Sequence, residues 1–301
     1  MTERDKVNLV QKMQDYIRAH LASDDFALDG LYAHVGYSKR HADRMFREVL
    51  GQTPLEYLKK IRLTDSVRKL RGKEASVLEI ALDSGFDSHE GYTRAFARSF
   101  DVTPSSYRKK PVAVPLFIQY PVTHYYNHLH PEEENKMETK ELLCMVTPVE
   151  RPKRKLMFLR SVNASDYWSF CQEKGCDWDG LLNSIPEKFD TAAILELPPF
   201  LQKPGYSPVA AGVELPADYD GKIPEGYELA ELPPCTLLYF QTEPFEREED
   251  FGMAIGCAFR AAERYDYEKF GYERAPDAAP FYNFGAEAAK GAAIAVPVRK
   301  R

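Results

Sequence analysis

Apolar side chains recur every three or four positions through the first 110 residues, which is the spacing of one buried helix face. The first such helix carries Val7, Val10, Met13, Ile17 and Leu21 on its apolar side. Similar spacing predicts further helices at 28–35, 39–50, 54–71, 76–83 and 88–100. Thr53 and Glu56 fit a capping box at a helix start, and Gly72 fits a helix end. The pattern therefore predicts an all-α region.

Two stretches of this region repeat one another, since residues 36–59 resemble residues 85–109. Each begins with a glycine turn, continues with a serine that can cap a helix, and contains a Thr-Pro helix start. The matched positions, all at an offset of 50, are Phe46 and Phe96, Thr53-Pro54 and Thr103-Pro104, and Tyr57 and Tyr107. We interpret this as an internal duplication. A helical solenoid is the alternative, but two copies are fewer than a solenoid needs.

In each copy a short helix, a turn and a second helix form the pattern of a helix-turn-helix motif, whose second helix enters the major groove of DNA. The outward side chains of the second helices are therefore candidate DNA contacts. They are Lys39, Arg40, Asp43, Arg44 and Arg47 in the first copy, and His89, Glu90, Gly91, Thr93, Arg94 and Arg98 in the second. The helix at 54–71 joins the copies, so both can enter adjacent major grooves of double-stranded DNA, about 34 Å apart.

The sequence leaves the role of each of these side chains open. Arg44 and Arg94 can read guanine edges or hold phosphates, and phosphate contact is the commoner role of an exposed arginine. Asp43 and Glu90 can accept a hydrogen bond from cytosine or repel other sequences. His89 is as readily a surface residue at a helix end as a base reader.

Charge is divided unevenly along the chain, whose net charge is −6 over 301 residues. Residues 1–110 carry 20 Lys and Arg against 16 Asp and Glu, and the remaining residues carry 20 against 30. The basic excess coincides with the duplication, as binding to phosphates requires. This length favours two domains. No apolar run approaches a membrane span, and the polar start MTERDKVN lacks a signal peptide, so we expect a cytoplasmic protein without a membrane partner.

Five cysteines without a CxxC pair argue against a disulfide framework and a zinc ribbon. They are Cys144, Cys171, Cys176, Cys235 and Cys257. Free thiols are the favoured interpretation, and a redox sensor is the alternative.

Residues 111–140 are rich in Pro, Tyr and His and then in charge, which favours an extended linker with a turn around 131–136. His124, His128 and His130 have a spacing that can bind a metal, but no cysteine or well-placed carboxylate accompanies them. We therefore expect a surface linker, and neither a metal site nor a cofactor.

Beyond the linker, short β-type runs alternate with helical ones. Strands are predicted at 142–149, 155–162, 191–197, 209–215, 236–242, 281–284 and 292–298, and helices at 165–174, 178–185 and 247–265. This order favours a duplicated β-α-β-β unit, with helices on one side of a sheet. The expected fold is thus an all-α tandem helix-turn-helix domain, residues 1–110, followed by an α+β domain, residues 141–301.

The segments GYSKRHADRMFRE, TPLEYLKKIRL, EIALDSGFDS and YTRAFARSFDVTPSSYR occur in this order within residues 7–110. Together they resemble the tandem helix-turn-helix domain of the AraC/XylS transcription factors, especially its MarA- and Rob-like members. The resemblance implies base-facing positions at Arg40, Asp43, Arg44, His89, Glu90, Gly91, Thr93 and Arg94. It also implies RNA polymerase as a partner. Arg40 replaces an aromatic residue and His89-Glu90 replaces paired glutamines, so the family's target sequence does not carry over.

The segments AAGVELP, PEGYELAELPPCTLLYFQTEP, PFYNFG and AAIAVPV follow in the second half. They resemble the GyrI-like effector-binding domain, which implies a small-molecule effector. The family's glutamate, and the tyrosine two residues after it, are replaced here by Tyr282 and Phe284. The usual acidic anchor for a cation is therefore absent, which argues against a multidrug-cation role and against hydrolase activity.

Aromatic side chains are numerous in this half and suggest a largely apolar ligand pocket. The candidates are Tyr167, Trp168, Trp178, Phe200, Tyr206, Phe240, Phe245, Tyr282 and Phe284. We expect about half of them to be core packing. Glu196 and Glu214 are the acids best placed on strands to meet a cation.

The sequence thus predicts a transcriptional regulator that binds DNA through residues 7–110 and senses a small, largely apolar or aromatic ligand through residues 141–299. One alternative is a regulator whose second domain is a protein-interaction module without a ligand. The other, less favoured, is a hydrolase fused to a DNA-binding domain. No catalytic residue is predicted, and we expect no enzyme activity.

Overall fold

A computed structural model of the chain describes residues 1–21, 28–72, 75–129 and 141–301. These residues form two compact units, each with its own hydrophobic core. The first unit contains residues 1–111 and 117–129, and the second contains residues 112–116 and 141–301.

The first unit is helical, as predicted. Its helices are α1 (Glu3–His20), α2 (Leu28–Val35), α3 (Lys39–Leu50), α4 (Pro54–Arg71), α5 (Val77–Asp83), α6 (His89–Phe100), α7 (Pro104–Lys109) and α8 (Val122–Leu129). At the start of most of them a serine or threonine accepts a hydrogen bond from a first-turn N–H, which satisfies a donor that the helix leaves unpaired. The predicted caps Thr53 and Ser88 are confirmed.

Helix α4 supplies core side chains to both copies of the duplication. Near its start, Tyr57 and Ile61 join the cluster that also contains the apolar sides of α1, α2 and α3. Near its end, Ser66 Oγ accepts a hydrogen bond of 3.0 Å from the buried Tyr92 hydroxyl of α6. One helix therefore connects the two copies through buried contacts at both of its ends.

The structure differs from the linker prediction at residues 117–129. Helix α8 packs on α1, where Gln14 is fully buried. The Gln14 Nε2 donates to the Tyr57 hydroxyl and to the Tyr120 carbonyl oxygen, both at 3.0 Å. Its Oε1 accepts from the Val122 N–H at 3.1 Å. Because these bonds tie the segment to α1, it belongs to the core of the first unit, whereas the turn predicted around 131–136 lies outside the described residues.

Residues 112–116 belong to the second unit. The Val114 N–H donates to Ser184 Oγ at 2.7 Å. The Leu116 backbone runs against Gly180, where an added Cβ would lie 1.8 Å from the Leu116 carbonyl oxygen. Only glycine fits at this close approach.

The second unit is an antiparallel sheet with helices, in agreement with the expected α+β class. Its strands are β1 (Cys144–Arg151), β2 (Arg154–Arg160), β3 (Ala193–Glu196), β4 (Val209–Pro216), β5 (Glu228–Leu232), β6 (Cys235–Thr242), β7 (Tyr272–Arg274), β8 (Phe281–Glu287) and β9 (Gly291–Lys300). Its helices are α9 (Tyr167–Lys174), α10 (Asp177–Asn183) and α11 (Phe251–Arg264). The prediction missed β5 and β7, because they are short and Leu232 is the single fully buried residue between them, so they lack clear apolar alternation.

Two similar halves meet at the centre of this sheet, whose strand order is β1-β6-β9-β8-β3-β4-β2-β5, with β7 on β9. One half runs from β2 through α9 and α10 to β3 and β4, and the other from β6 through α11 to β8 and β9. They join where β3 pairs with β8. The strand that precedes each half pairs with the other half, since β1 pairs with β6 and β5 with β2.

The three helices of the second unit cover one face of the sheet. Ile194 packs in the cluster of α9 and α10, and Ile294 packs in the cluster of α11. Both oppose Asn283 in register, so they point to the same face. The opposite face carries Leu195 and Tyr282 in register and has none of the second unit's three described α-helices on it. A single 3-10 turn, Pro199–Leu201, packs there through Leu201. The predicted placement of helices on one side is confirmed.

We expect Gln14→Ala to lower the free energy of unfolding of the first unit by about 2–4 kcal/mol, because it removes three hydrogen bonds made by a fully buried side chain. Asn8→Ala, at an exposed position of α1, should change it by less than about 0.5 kcal/mol. Denaturant unfolding followed by circular dichroism measures both. Equally small effects would show that residues 117–129 are not part of this core.

Candidate functional site

Helix α3 presents a basic surface. Ser38 caps its start by accepting from the His41 N–H, and Gly51 ends it in the left-handed conformation, with φ of 70°. Its outward side borders an open depression of about 750 Å³. The lining residues are Lys39, Arg40, Asp43, Arg44, Arg47, Glu48 and Thr53. All five candidate DNA contacts of the first copy therefore lie on one surface.

Two acids of α3 are held by other side chains of the first unit. Asp43 Oδ1 accepts a hydrogen bond of 2.8 Å from the Tyr32 hydroxyl. Glu48 lies 2.9 Å from Lys6 Nζ and 3.8 Å from Arg44 Nε. The hydrogen bond from Lys6 lowers the pKa of Glu48. The sequence did not single out Tyr32 or Glu48, although the four-residue spacing of Arg44 and Glu48 was an available signal.

Helix α6 presents a second, less charged surface. Ser88 Oγ caps it by accepting from the Gly91 N–H at 3.1 Å. Glu90, Arg94 and Arg98 are exposed, and His89, Gly91 and Thr93 are half-buried. Within the described ranges, Arg94 and Arg98 form no ion pair, and Thr93 Oγ1 is buried without a hydrogen bond. The two arginines are therefore available to an external anion.

The surfaces of the two copies differ at equivalent positions. At the offset of 50, Tyr32 corresponds to Leu82 and Asp43 to Thr93. The hydrogen bond between the Tyr32 hydroxyl and the Asp43 carboxylate therefore has no counterpart in the second copy. There Leu82 is 54% exposed, and the buried Thr93 hydroxyl has no hydrogen-bond partner among the described residues. The duplicated scaffold therefore carries two chemically different exposed faces.

The candidate ligand residues of the second unit do not form one pocket. Trp178, Phe240 and Phe245 are buried on the helix-covered face; Tyr167 and Trp168 are half-buried on α9; Glu196, Phe200 and Tyr206 are exposed; Glu214, Tyr282 and Phe284 lie on the opposite face. The structure brings the last three together, and separately it places Tyr167 against Trp168 and Trp178, with centroid distances of 5.0 and 6.4 Å. The candidates do not all meet in one place because aromatic side chains pack on both faces of this sheet and in its loops.

Glu214 is buried and is bound by two arginines. Arg154, itself fully buried, donates through Nε to Glu214 Oε1 at 2.6 Å, and Arg151 Nε donates to Oε2 at 3.1 Å. The Tyr282 hydroxyl donates to the same carboxylate. Burial and the neighbouring carboxylate raise the pKa of Tyr282 well above its usual value, so its hydroxyl keeps its proton. Because its charge is compensated, Glu214 is not a free anchor for a cation.

Arg151 links this cluster to a second acid and to a row of rings. Its Nη2 donates to the Tyr239 hydroxyl at 2.7 Å and pairs with Asp190, to which Tyr239 also donates, at 2.5 Å. Phe284 stacks between Tyr239 and Tyr282, with centroid distances of 5.5 and 5.6 Å. The sequence missed Arg151, Asp190 and Tyr239, because they come from β1, a loop and β6 and share no sequence spacing.

The histidines considered as metal ligands lie outside what the structure describes: His130 is not among the described residues, and the side chains of His124 and His128 are not described. In the described parts of the chain, no group of three or more His, Cys, Asp or Glu residues could hold a metal ion. None of the described helices is long and apolar enough to cross a membrane.

Comparison with known proteins finds relatives for the first unit. A helix-turn-helix domain family matches residues 31–110. The Right origin-binding protein of Escherichia coli (strain K12) is 36% identical over 107 residues, which are 36% of this chain and 37% of that protein. The regulatory protein SoxS of Salmonella typhimurium (strain LT2) is 36% identical over 102 residues, which are 34% of this chain and 94% of SoxS. The match thus spans nearly all of SoxS but little more than a third of the Right origin-binding protein.

Solved structures also align with about half of the chain, and the C-terminal domain of EcmrR is one of them. The C-terminal domain of EcmrR is 14% identical, with 53% of this chain and 100% of that domain covered and a TM-score of 0.33. A likeness of this size carries no conclusion about the second unit. The relationship to known proteins therefore rests on the first unit.

Replacing Glu214 by Gln should destabilise the second unit by about 3–5 kcal/mol, because Arg154 stays charged and buried without its carboxylate. Glu196→Gln removes the same charge at an exposed position of β3 and should cost less than about 0.5 kcal/mol. Denaturant unfolding of the second unit measures both. If the two variants were equally stable, the ion pairs of Glu214 with Arg154 and Arg151 would not stabilise the second unit.

Proposed function

This chain belongs to the AraC family of DNA-binding transcriptional regulators, and we propose that it binds double-stranded DNA through α3 and α6. One observation carries the proposal: two Ser-capped helices of 12 residues expose arginines at equivalent positions and are joined by the single helix α4. A helix-turn-helix motif places its second helix in the major groove, and two adjacent grooves on one side of DNA lie about 34 Å apart.

The two recognition faces support different contacts. Lys39, Arg40 and Arg47 add to a positive surface that suits phosphates, which fix the position of a protein on DNA. Arg44 and Arg94 occupy equivalent positions and are assigned to guanine edges or phosphates. A carboxylate oriented by a tyrosine, as in the first copy, suits the amino group of cytosine.

For the second unit we propose a small-molecule sensor of the GyrI-like type. Two β-α-β-β halves and the three stacked rings around Phe284 support it. Because two arginines compensate Glu214, the proposed ligand is largely apolar or aromatic and is not a lipophilic cation. Such a ligand can alter DNA binding, or a contact with RNA polymerase, only if it binds two states of the protein unequally.

A protein-interaction module is the second candidate for this unit. Leu143 and Met145 are 68% and 60% exposed, and no other described strand covers the outer edge of β1. An open strand edge can pair with a strand of a partner. We propose no hydrolase activity, because Glu214 is held by Arg154 and Arg151 and is not free to activate water.

Arg44→Ala and Arg94→Ala should each weaken binding to a selected DNA site by about 5- to 100-fold, because each removes a contact worth about 1–3 kcal/mol. The site is obtained by enrichment from a pool of random duplexes, and affinity is measured at one salt concentration on that site and on random DNA. A loss confined to the selected site indicates a base contact, and an equal loss on both indicates a phosphate contact.

Lys12→Ala is the charge-matched control, because Lys12 is exposed on α1, outside both recognition helices. It should leave both affinities within about twofold of the wild type. If neither arginine variant changed the affinity for either DNA, the assigned recognition faces would be wrong.

A ligand of the second unit should raise the melting temperature of the protein, because it binds the folded state and not the unfolded one. Thermal unfolding with a panel of aromatic, aliphatic and cationic compounds measures the shift. Phe284→Ala should abolish it by removing the middle ring of the stack. Phe270→Ala, at a ring that is 58% exposed and outside the stack, should keep it. If no compound stabilises the wild type, the interaction module is favoured.

A further inference from the structure

A tyrosine of α2 is hydrogen-bonded to an acid of α3. The Tyr32 hydroxyl donates to Asp43 Oδ1 at 2.8 Å, and the two residues come from the two helices of the first helix-turn-helix copy. The second carboxylate oxygen, Oδ2, accepts no hydrogen bond from a described residue. Asp43 also lines the depression, together with Arg40 and Arg44. One oxygen of this carboxylate is therefore held, and the other is available to an external donor.

The Tyr32 side chain is a fixed anchor for the carboxylate. It is 7% exposed and belongs to the core cluster that also contains Ala42 and Phe46 of α3. Lys39 Nζ lies 5.9 Å from the centre of its ring. Burial and the hydrogen bond to Asp43 raise the pKa of Tyr32 above its usual value, so the hydroxyl keeps its proton and remains a donor. A donor on a packed ring restricts the rotation of the carboxylate that accepts from it.

Asp43 differs from the other acid of the depression. Glu48 is paired with Lys6 and Arg44, whereas Asp43 forms no ion pair with a described residue. An uncompensated negative charge on a surface that faces phosphates weakens the attraction between protein and DNA. A carboxylate in such a position favours binding only where it meets a donor. In the major groove the donor that aspartate and glutamate contact is the N4 amino group of cytosine.

The second copy of the duplication has no equivalent pair. Leu82 stands in the place of Tyr32, and Thr93 stands in the place of Asp43. An effect of the Tyr32 hydroxyl on base preference is therefore expected only in the DNA contacted by α3. The DNA contacted by α6 serves as an internal comparison.

We propose that Tyr32 is a positioning residue that makes Asp43 read a cytosine in the half-site bound by α3. The inference rests on the proposed function, since it requires α3 to lie in the major groove. Tyr32 holds Oδ1, and Oδ2 accepts a hydrogen bond from the N4 amino group of cytosine. A carboxylate that is held before DNA binds does not have to be ordered on binding, which strengthens binding to the cytosine site by about 2- to 10-fold.

The test measures base preference with the full-length protein. Binding sites are enriched from a pool of random duplexes, and the affinity for each base at each position is measured at one salt concentration. The half-site that responds to Arg44→Ala is assigned to α3, and the half-site that responds to Arg94→Ala is assigned to α6. In the wild type, one position of the α3 half-site should favour cytosine by about 5- to 100-fold.

Two variants separate the positioning of the carboxylate from its charge. Tyr32→Phe keeps every charge, so it should lower the cytosine preference by about 2- to 10-fold and leave the affinity for random DNA within about twofold of the wild type. Asp43→Asn puts an amide with an N–H donor in place of the carboxylate, so it should abolish the cytosine preference. Because it also removes a negative charge, it should strengthen binding to random DNA.

Tyr57→Phe is the matched control. It removes the hydroxyl of another tyrosine in the same core cluster, and that hydroxyl accepts from Gln14 of α1 and not from α3. It should leave the cytosine preference unchanged. The preference is a ratio of the affinities for two DNA sites, so a smaller fraction of folded protein does not alter it. The comparison therefore holds even if a variant is less stable.

The inference is overturned if no cytosine position responds to Asp43→Asn. It is also overturned if Tyr32→Phe leaves the cytosine preference unchanged, which would show that the hydrogen bond only joins α2 to α3. In both cases DNA binding by α3 and α6 stands, provided that Arg44→Ala and Arg94→Ala weaken it. If the wild type enriches no site, the proposed function and this inference are both wrong.

Discussion

The structure of the first unit depends on helix α4, which packs against both copies of the duplication. Helix α4 contributes Tyr57 to the first copy of the duplication and the Ser66 partner of Tyr92 to the second. A helix of 18 residues is about 27 Å long, so its length sets how far apart the two copies lie. Any change that loosens either end of α4 alters the relative position of α3 and α6, the two helices that we propose to bind DNA.

Duplication preserved the scaffold of the first unit while its surface diverged. The two copies share the buried rings Phe46 and Phe96 and the two Thr-Pro helix starts. These features are equivalent because each copy packs the same helices around its core. The exposed faces have no such constraint. The first carries an acid oriented by Tyr32, and the second carries Arg94 and Arg98, which form no ion pair within the described residues. The two faces that we propose to contact DNA therefore differ in their chemistry.

In the second unit the comparable constraint is that a buried charge needs a buried partner. Arg154 and Glu214 are both removed from water, and each compensates the other, with Arg151 and Tyr282 completing the hydrogen bonds of the carboxylate. The same contacts remove an acid that could otherwise bind a cation. The rings of Tyr239, Phe284 and Tyr282 lie on the face of the sheet opposite its α-helices, where we propose that an apolar or aromatic ligand binds.

The sequence by itself determined the elements whose signals are local: the capped helices, the repeat at an offset of 50, most strands and the basic surface of α3. Tertiary structure alone decided which distant residues meet. Gln14 reaches residues 120 and 122, and Arg151 reaches Asp190, through contacts that no periodicity encodes.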